Sequence, residues 1–454
     1  MSTPHSSDLL YGLNDKPGLI PSLAAAGQHV LASFVGIITP TLVICTTLGL
    51  EAEMMYLISM ALLTSGIATF IQVKTFGPVG SGLIAVQGTS FAFLGALLIA
   101  GFSVRERGGN DADVLAMLMG IAFWGAFVEI ILSQFITRLK RIITPLITGI
   151  VITTIGVSLI KVGMTDLAGG YHAADAGALN NVLLGAGVLV TILLLGASHN
   201  PWLRLSAIIV GMVGGTVIAA FMGKVDFASL QQVPVVAIPQ PFKYGFDFDW
   251  TVFFPVAIIY LLTAIETSGD LTANSLFCGL PIKGKAYLER IRGGVLGDGI
   301  NSLIASILNT FPNTTFSQNN AVIQMTGIAS RHIGFYVAGF LFLLGLFPAI
   351  GALLQLIPKP VLGGATLVMF GTIAAGGIRI LANEALDRRN TTIIATSLGI
   401  GLGVMMVPQV LAELPAVIKN ILGAPVSAAG LTAILLSLVL PQSEMAEEGI
   451  AEHE

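Results

Sequence analysis

Apolar stretches, each cut off from the next by charges or by Pro and Gly, follow one another along nearly the whole sequence, and about twenty residues of helix suffice to cross a hydrocarbon core. Fourteen stretches qualify, at 22–48, 54–73, 82–100, 114–135, 142–159, 181–196, 205–221, 252–270, 293–308, 314–329, 335–356, 361–380, 391–406 and 411–440. The pattern predicts an all-α integral membrane protein with fourteen transmembrane segments. Composition agrees, because 54% hydrophobic and 10% charged residues, with mean hydropathy +0.88, leave too few polar groups to coat a water-soluble surface. A net charge of -4 gives no reason to expect a nucleic-acid partner. Cys45 and Cys278 have no disulfide-framework or metal-ligand spacing. The first twenty residues lack the basic and apolar blocks of a signal peptide.

Basic residues orient the segments, since cytoplasmic loops are enriched in Lys and Arg. With both termini cytoplasmic, fourteen of the 21 fall inside: Lys16, Lys74, Arg138, Lys140, Arg141, Arg204, Lys283, Lys285, Arg290, Arg292, Arg331, Arg379, Arg388 and Arg389. Six fall outside, namely Arg105, Arg107, Lys161, Lys224, Lys243 and Lys359. Lys419 lies within the last segment and is not assigned. Lys161 is read as reaching for the interface.

An internal repeat appears where Pro145, Gly149 and Gly156 in segment five match Pro360, Gly364 and Gly371 in segment twelve at one constant offset. Seven segments per half is an odd number, so the second copy enters the membrane from the opposite side and the repeat is inverted, as in secondary transporters. Segments three and ten begin unlike lipid-facing helices, with Ser81 to Ser90 and with Asn313 to Asn320. Polar backbone at membrane depth needs partners other than lipid. Each is therefore predicted to be a short β-strand leading into a half-helix. Two crossing elements of this kind would pair their strands and aim two helix N-termini at a polar solute.

Ionisable groups inside segments are expensive to bury and are functional candidates by default. Glu266 and Asp270 in segment eight are four residues apart, hence on one helical face. Two such carboxylates repel unless one is protonated or a partner intervenes, so the pair can hold and release a proton. Asp298 and His29 are either coupling residues or hydrogen-bonded packing residues, and Glu129 is read as structural. Gly279, Gly284 and Lys285 have the spacing of a phosphate loop, but Ala286 replaces its hydroxyl residue and no strand precedes it, which excludes ATP binding. The six histidines include no i, i+4 pair, so no metal site is expected.

The run Gln318-Asn319-Asn320-Ala321, continuing to Thr326 and Gly327, resembles the signature of the nucleobase-ascorbate transporter family, Gln/Glu-Asn-x-Gly-x-x-x-x-Thr followed by Arg, Lys or Gly. Ala321 stands where the signature has glycine. The resemblance extends through Gln28-His29, Gly80 to Phe91, Glu266 to Asp270, Gly293 to Gly299 and Gly363 to Thr366. It covers the chain from about Tyr11 to Pro441 and is similar in kind to the bacterial xanthine/uracil permease branch.

That resemblance implies a cytoplasmic segment at 1–20, a core domain made of 21–140 and 249–357 (segments one to four and eight to eleven), a gate domain made of 141–248 and 358–441 (segments five to seven with an outer loop, and twelve to fourteen), and a cytoplasmic tail at 442–454. It also implies proton symport of a purine nucleobase, most simply xanthine, by an elevator-like movement of the core. The protein would be a homodimer joined through the gate in the cytoplasmic membrane of a bacterium, with no cofactor besides the co-transported proton. Glu266 and Gln318 would bind the purine, Phe91 would stack on it, and the backbone around Ser317 would contribute. Asp270, Asp298, His29 and Asn319 match positions used for coupling and for organising the site. Ser90, small and polar, leaves room for substitution on the five-membered ring, so urate is an alternative substrate; other purines and uracil are further alternatives. An anion exchanger of related architecture should place Lys or Arg where Glu266 and Asp270 stand. No nucleophile and base constellation of an intramembrane enzyme is present.

Overall fold

The computed structural model describes residues 9–136, 144–170, 173–225, 236–349, 352–353 and 356–441. The basic residues Arg138, Lys140 and Arg141 and the tail 442–454 lie outside them. In chain order the first half contains α1 (Leu19–Leu48), α2 (Glu51–Lys74), β1 (Gln87–Thr89), a 3-10 turn (Phe91–Phe93), α3 (Leu94–Glu106), α4 (Asp111–Gln134), α5 (Pro145–Leu167), α6 (Leu179–Gly196) and α7 (Pro201–Phe221). The second contains α8 (Trp250–Phe277), α9 (Lys285–Ile307), β2 (Asn313–Thr315), α10 (Ser317–Thr326), α11 (Arg331–Leu346), α12 (Lys359–Leu381), α13 (Arg388–Met406), a 3-10 turn (Pro408–Leu411), α14 (Ala416–Gly423) and α15 (Pro425–Val439).

Each of the fourteen apolar stretches falls on one or more of these helices. Among the described residues seven helices, α1, α2, α4, α5, α6, α8 and α12, are long and apolar enough to cross a bilayer alone. The chain is a multi-pass, predominantly helical membrane protein. Several stretches differ from expectation: α5 runs on to Leu167 rather than 159, and α11 ends at Leu346 rather than 356. α8 runs on through the polar turn Thr272 to Ser275 as far as Phe277; α9 starts at Lys285 rather than 293, because Lys, Glu and Arg are good helix formers that hydropathy leaves out. The stretch 411–440 is not one helix: α14 and α15 are bent by 92° at the break before Pro425, whose ring and missing N–H prevent the helix from continuing.

Helix starts follow local chemistry. Asn110 caps α4 in a reciprocal capping box with Asp113. Pro145 and Pro360 both occupy the first turn of their helices, where a missing N–H costs nothing. Asp249 caps α8 by accepting from the Thr251 N–H at 2.8 Å, and accepts from Arg107 at 2.9 Å. Burial works against this carboxylate, but hydrogen bonds from Thr251 and Arg107 outweigh it and hold its pKa below the usual value.

Small residues bring backbones together, as membrane helix pairs require. A Cβ on Gly156 would lie 2.2 Å from the Ala374 nitrogen, and one on Gly377 would lie 2.3 Å from the Thr153 nitrogen, so α5 and α12 pack backbone to backbone. α2 and α11 do the same through Gly66 and Gly345. The sequence repeat is only partly reused: Gly149 and Gly364 are both tightly packed, whereas a Cβ on Gly371 would meet nothing within 4 Å. The segment 236–249 lies across the ends of several helices, with the Ala237 N–H on the Leu346 carbonyl (2.8 Å), Phe242 on Ile307 (2.9 Å) and Asp247 on Ala116 (2.9 Å). Lys243 pairs with Glu53 at 2.7 Å, and the Tyr244 hydroxyl donates to the same carboxylate. Burial and then Glu53 push the Tyr244 phenol well above its usual pKa.

Candidate substrate site

The two interrupted segments meet at the centre of the fold. β1 and β2 pair antiparallel, with Gln87 opposite Thr315, Gly88 opposite Thr314 and Thr89 opposite Asn313. The Ser90 N–H on the Pro312 carbonyl and the Phe316 N–H on the Val86 carbonyl, both 2.9 Å, extend the ribbon. This satisfies backbone groups that lipid could not. Only glycine fits at Gly88, where a Cβ would come within 2.5 Å of Ile37 and 2.8 Å of the Phe316 ring.

Helices start from both ends of the ribbon. Ser90 precedes the turn that opens α3, and its hydroxyl accepts from the Ala92 N–H at 3.3 Å. Phe91 is buried, with its ring centroid 5.8 Å from that of Phe370 on α12 in an edge-on arrangement. α10 begins at Ser317 with no side-chain cap, which leaves first-turn N–H groups and the positive end of the helix dipole free to face a polar solute.

α8 closes the opposite side. Glu266 and Asp270 are half-buried there, beside exposed Gly269 and exposed Ser317. The Ser317 hydroxyl donates to the Asp270 carboxylate at 2.9 Å, and the Asn320 amide donates to the Asp270 carbonyl at 3.0 Å. The carboxylates of Glu266, Asp270 and Asp298 are within electrostatic reach of one another. Behind this wall Asp298, fully buried, is a hub. It accepts from Gln72 at 2.7 Å, from the Thr267 hydroxyl, from the Thr315 N–H at 3.2 Å and from the Thr315 hydroxyl. Gln72 also donates to the Gly294 carbonyl at 2.8 Å and accepts from the Ser81 N–H at 3.0 Å. A single carboxamide therefore ties α2, the approach to β1 and α9 together.

The structure thus gathers Asp270, Ser317, Asp298 and Glu266 around the α8 and α10 wall, and places Ser90 and Phe91 at the other end of the ribbon. His29, fully buried in α1, faces Asn319, whose amide donates to the Ile84 carbonyl. The side chains of Gln318 and Ala321 lie outside the described ones. Gln72, Thr267 and Thr315 escaped the sequence reading, although a polar residue deep in an apolar run such as Gln72 is a signal. Glu129, read as structural, sits within electrostatic reach of Asp298 and Glu266. Among the described residues no group of three or more His, Cys, Asp or Glu is arranged to hold a metal ion. The wall offers carboxylate acceptors, a hydroxyl and free helix N–H groups. That set matches an uncharged ligand bearing both hydrogen-bond donors and acceptors.

Comparison with known proteins locates the chain. Residues 21–410 match the xanthine/uracil permease model, described as Permease family. Xanthine permease XanP of Escherichia coli (strain K12) is 45% identical over 441 residues, covering 96% of this chain and 95% of the relative. Xanthine permease XanQ of the same strain is 45% identical over 439 residues, covering 96% and 94%. The nucleobase transporter PlUacP of Paenibacillus larvae is 34% identical, covering 91% and 93%. Among solved structures, the transmembrane domain of the cyanobacterial bicarbonate transporter BicA superposes with TM-score 0.59 at 14% identity, covering 90% of this chain and 99% of that one. The murine anion transporter Slc26a9 gives TM-score 0.59 at 13% identity, covering 88% and 69%. These two likenesses concern the fold alone.

Proposed function

Because the chain belongs to the xanthine/uracil permease family, the nucleobase-ascorbate transporters, we propose that it imports a purine nucleobase, xanthine in the first place, together with protons. One observation carries the reading: an acidic, hydroxyl-bearing wall, Glu266, Asp270 and Ser317, beside an uncapped helix start. Glu266 accepts N–H groups of the base, Gln318 supplies a donor and an acceptor, Phe91 packs on the ring, and Ser317 with its backbone lines the edge. Asp270, Asp298, His29 and Asn319 organise the site and link it to the proton. The likeness to xanthine permeases at 45% identity supports this substrate. Urate fits the same mechanism, since Ser90 leaves space near the five-membered ring, and other purines or uracil follow as further candidates.

In this reading the chain has fourteen spans in two inverted seven-span repeats, with both termini cytoplasmic in the inner membrane of a bacterium. The core, 21–140 with 249–357, moves as an elevator against the gate, 141–248 with 358–441, and the gates of two copies form the dimer. No cofactor takes part beyond the co-transported proton. An anion exchanger is the second reading, since bicarbonate and anion transporters share the fold. The charged groups on the α8 wall are acidic, which favours a neutral solute over an anion.

The test is uptake of radiolabelled xanthine by cells expressing Glu266→Gln, with unlabelled urate, guanine, hypoxanthine and uracil as competitors and with and without a protonophore. Uptake should fall at least about tenfold, the loss of one charge-assisted pair of hydrogen bonds, with the protein still in the membrane. Normal protonophore-sensitive uptake by that variant would remove the assignment.

A further inference from the structure

The site described above uses the carboxylates of α8 and α9 and leaves one acid of α4 unexplained. Glu129 is 1% exposed, and neither of its carboxyl oxygens has a hydrogen-bond partner among the described residues. Its surroundings are closely packed. A Cβ on Gly299 of α9 would meet Ile130 at 2.8 Å, and one on Gly125 of α4 would meet the Tyr260 ring at 2.3 Å. Five residues further along α4, Gln134 accepts from Arg292 of α9, so that guanidinium is already engaged. The groups facing Glu129 are Tyr260, Thr263 and Glu266 from α8 and Asp298 from α9. The Tyr260 hydroxyl is committed to the Ala122 carbonyl at 2.8 Å; the Thr263 hydroxyl donates to the Tyr260 carbonyl at 3.2 Å and stands near the Glu129 carboxyl as a donor too poorly placed for a regular hydrogen bond. An ionised carboxyl here would have two further carboxyl groups within reach and no cation among the described residues to offset it, a cost the neutral acid avoids.

We propose that Glu129 is a proton-holding residue of this transporter, storing the coupled proton behind the substrate wall and passing it to Glu266. The proposal rests on the proton-symport reading and deepens it. In the transfer the O–H bond of Glu129 breaks, an O–H bond forms on Glu266, and one negative charge passes the opposite way. Asp298 is the poorer recipient because Gln72, Thr267 and Thr315 already occupy its oxygens. Glu266 is half-exposed on the site wall and leads from the closed interior towards water. A structural acid in this position would be expected to have its carboxyl oxygens hydrogen-bonded, and neither Glu129 oxygen makes a regular hydrogen bond among the described residues.

The experiment uses the full-length protein in proteoliposomes, with radiolabelled xanthine as the probe. Wild type, Glu129→Gln and Glu129→Asp are compared in two modes: exchange of internal for external xanthine, which needs no net proton movement, and accumulation driven by an imposed pH gradient. Glu129→Gln, which keeps the shape of the neutral acid, should retain at least half of wild-type exchange and lose tenfold or more of gradient-driven accumulation. Glu129→Asp should recover part of that accumulation. Accumulation by Glu129→Gln at the wild-type level and with the wild-type pH profile overturns the proposal, as does loss of exchange together with accumulation, which marks a structural role. Failure of wild type itself to respond to the pH gradient while it still exchanges xanthine overturns the symport reading instead, and the Glu129 role with it.

Discussion

Replacing Gln72 by leucine removes three buried hydrogen bonds at nearly constant volume. The bond to the Asp298 carboxylate involves a charged acceptor and contributes about 1.5–3 kcal/mol, and the Ser81 N–H, left buried without its acceptor, costs about 1–3 kcal/mol. The Gly294 carbonyl retains a second lone pair and adds little. The middle of the summed range is about 4 kcal/mol. With an unfolding entropy of about 2.1 cal/mol/K per residue over 454 residues, that corresponds to a fall in Tm of about 4 °C. Thermal unfolding of detergent-solubilised protein, followed by fluorescence-detected size exclusion, measures it. Gln72→Glu should lose more, since it keeps an acceptor for Ser81 but sets a second carboxylate against Asp298. A Tm for Gln72→Leu within about 1 °C of wild type, with wild-type uptake, would mean that Gln72 does not organise the ribbon and that the hub around Asp298 has been misread.

Two further outcomes follow from packing and charge. Gly156→Val would drive a side chain into the Ala374 backbone 2.2 Å away, so α5 and α12 must separate; overpacking of this kind costs about 1–3 kcal/mol or more, and a wild-type melting temperature would contradict the backbone-to-backbone contact. Asp249 has a depressed folded-state pKa, so its stabilisation is present above its unfolded value of about 3.9 and is lost as pH falls through the folded value. Melting temperatures taken from pH 6 down to pH 3 should fall more steeply for wild type than for Asp249→Asn, and identical slopes would count against the cap and its Arg107 partner.

The two breaks in the helical pattern were legible because polar residues such as Gln87, Asn313 and Thr315 have no business in lipid unless their backbone is paired elsewhere. The carboxylate pair at Glu266 and Asp270 was legible from helical spacing alone. Helix ends were less so: hydropathy opens α9 at 293 and misses Lys285 to Arg292, which are helical without being apolar. The 92° break before α15 lies inside a largely apolar run, where Gly423 and Pro425 are the clues at the break itself. Gln72 stands out as a polar residue in an apolar run, but what it and Thr267 bind was not legible, since their partner Asp298 lies 226 and 31 positions away. Glu129 was visible as an intramembrane acid, but only the folded neighbourhood shows that no cation among the described residues answers it.

The ribbon between the two breaks also sets an order of events during synthesis. Gln87 and its partner Thr315 are 228 positions apart, so at a translation speed of ~5–20 residues per second the second strand emerges roughly 11–45 s after the first. Throughout that interval the peptide groups of 87–89 have no cognate edge, and acyl chains cannot supply one. The newborn first half must therefore wait beside water or within the insertion machinery, and the protein can seal itself into lipid only once its later half arrives.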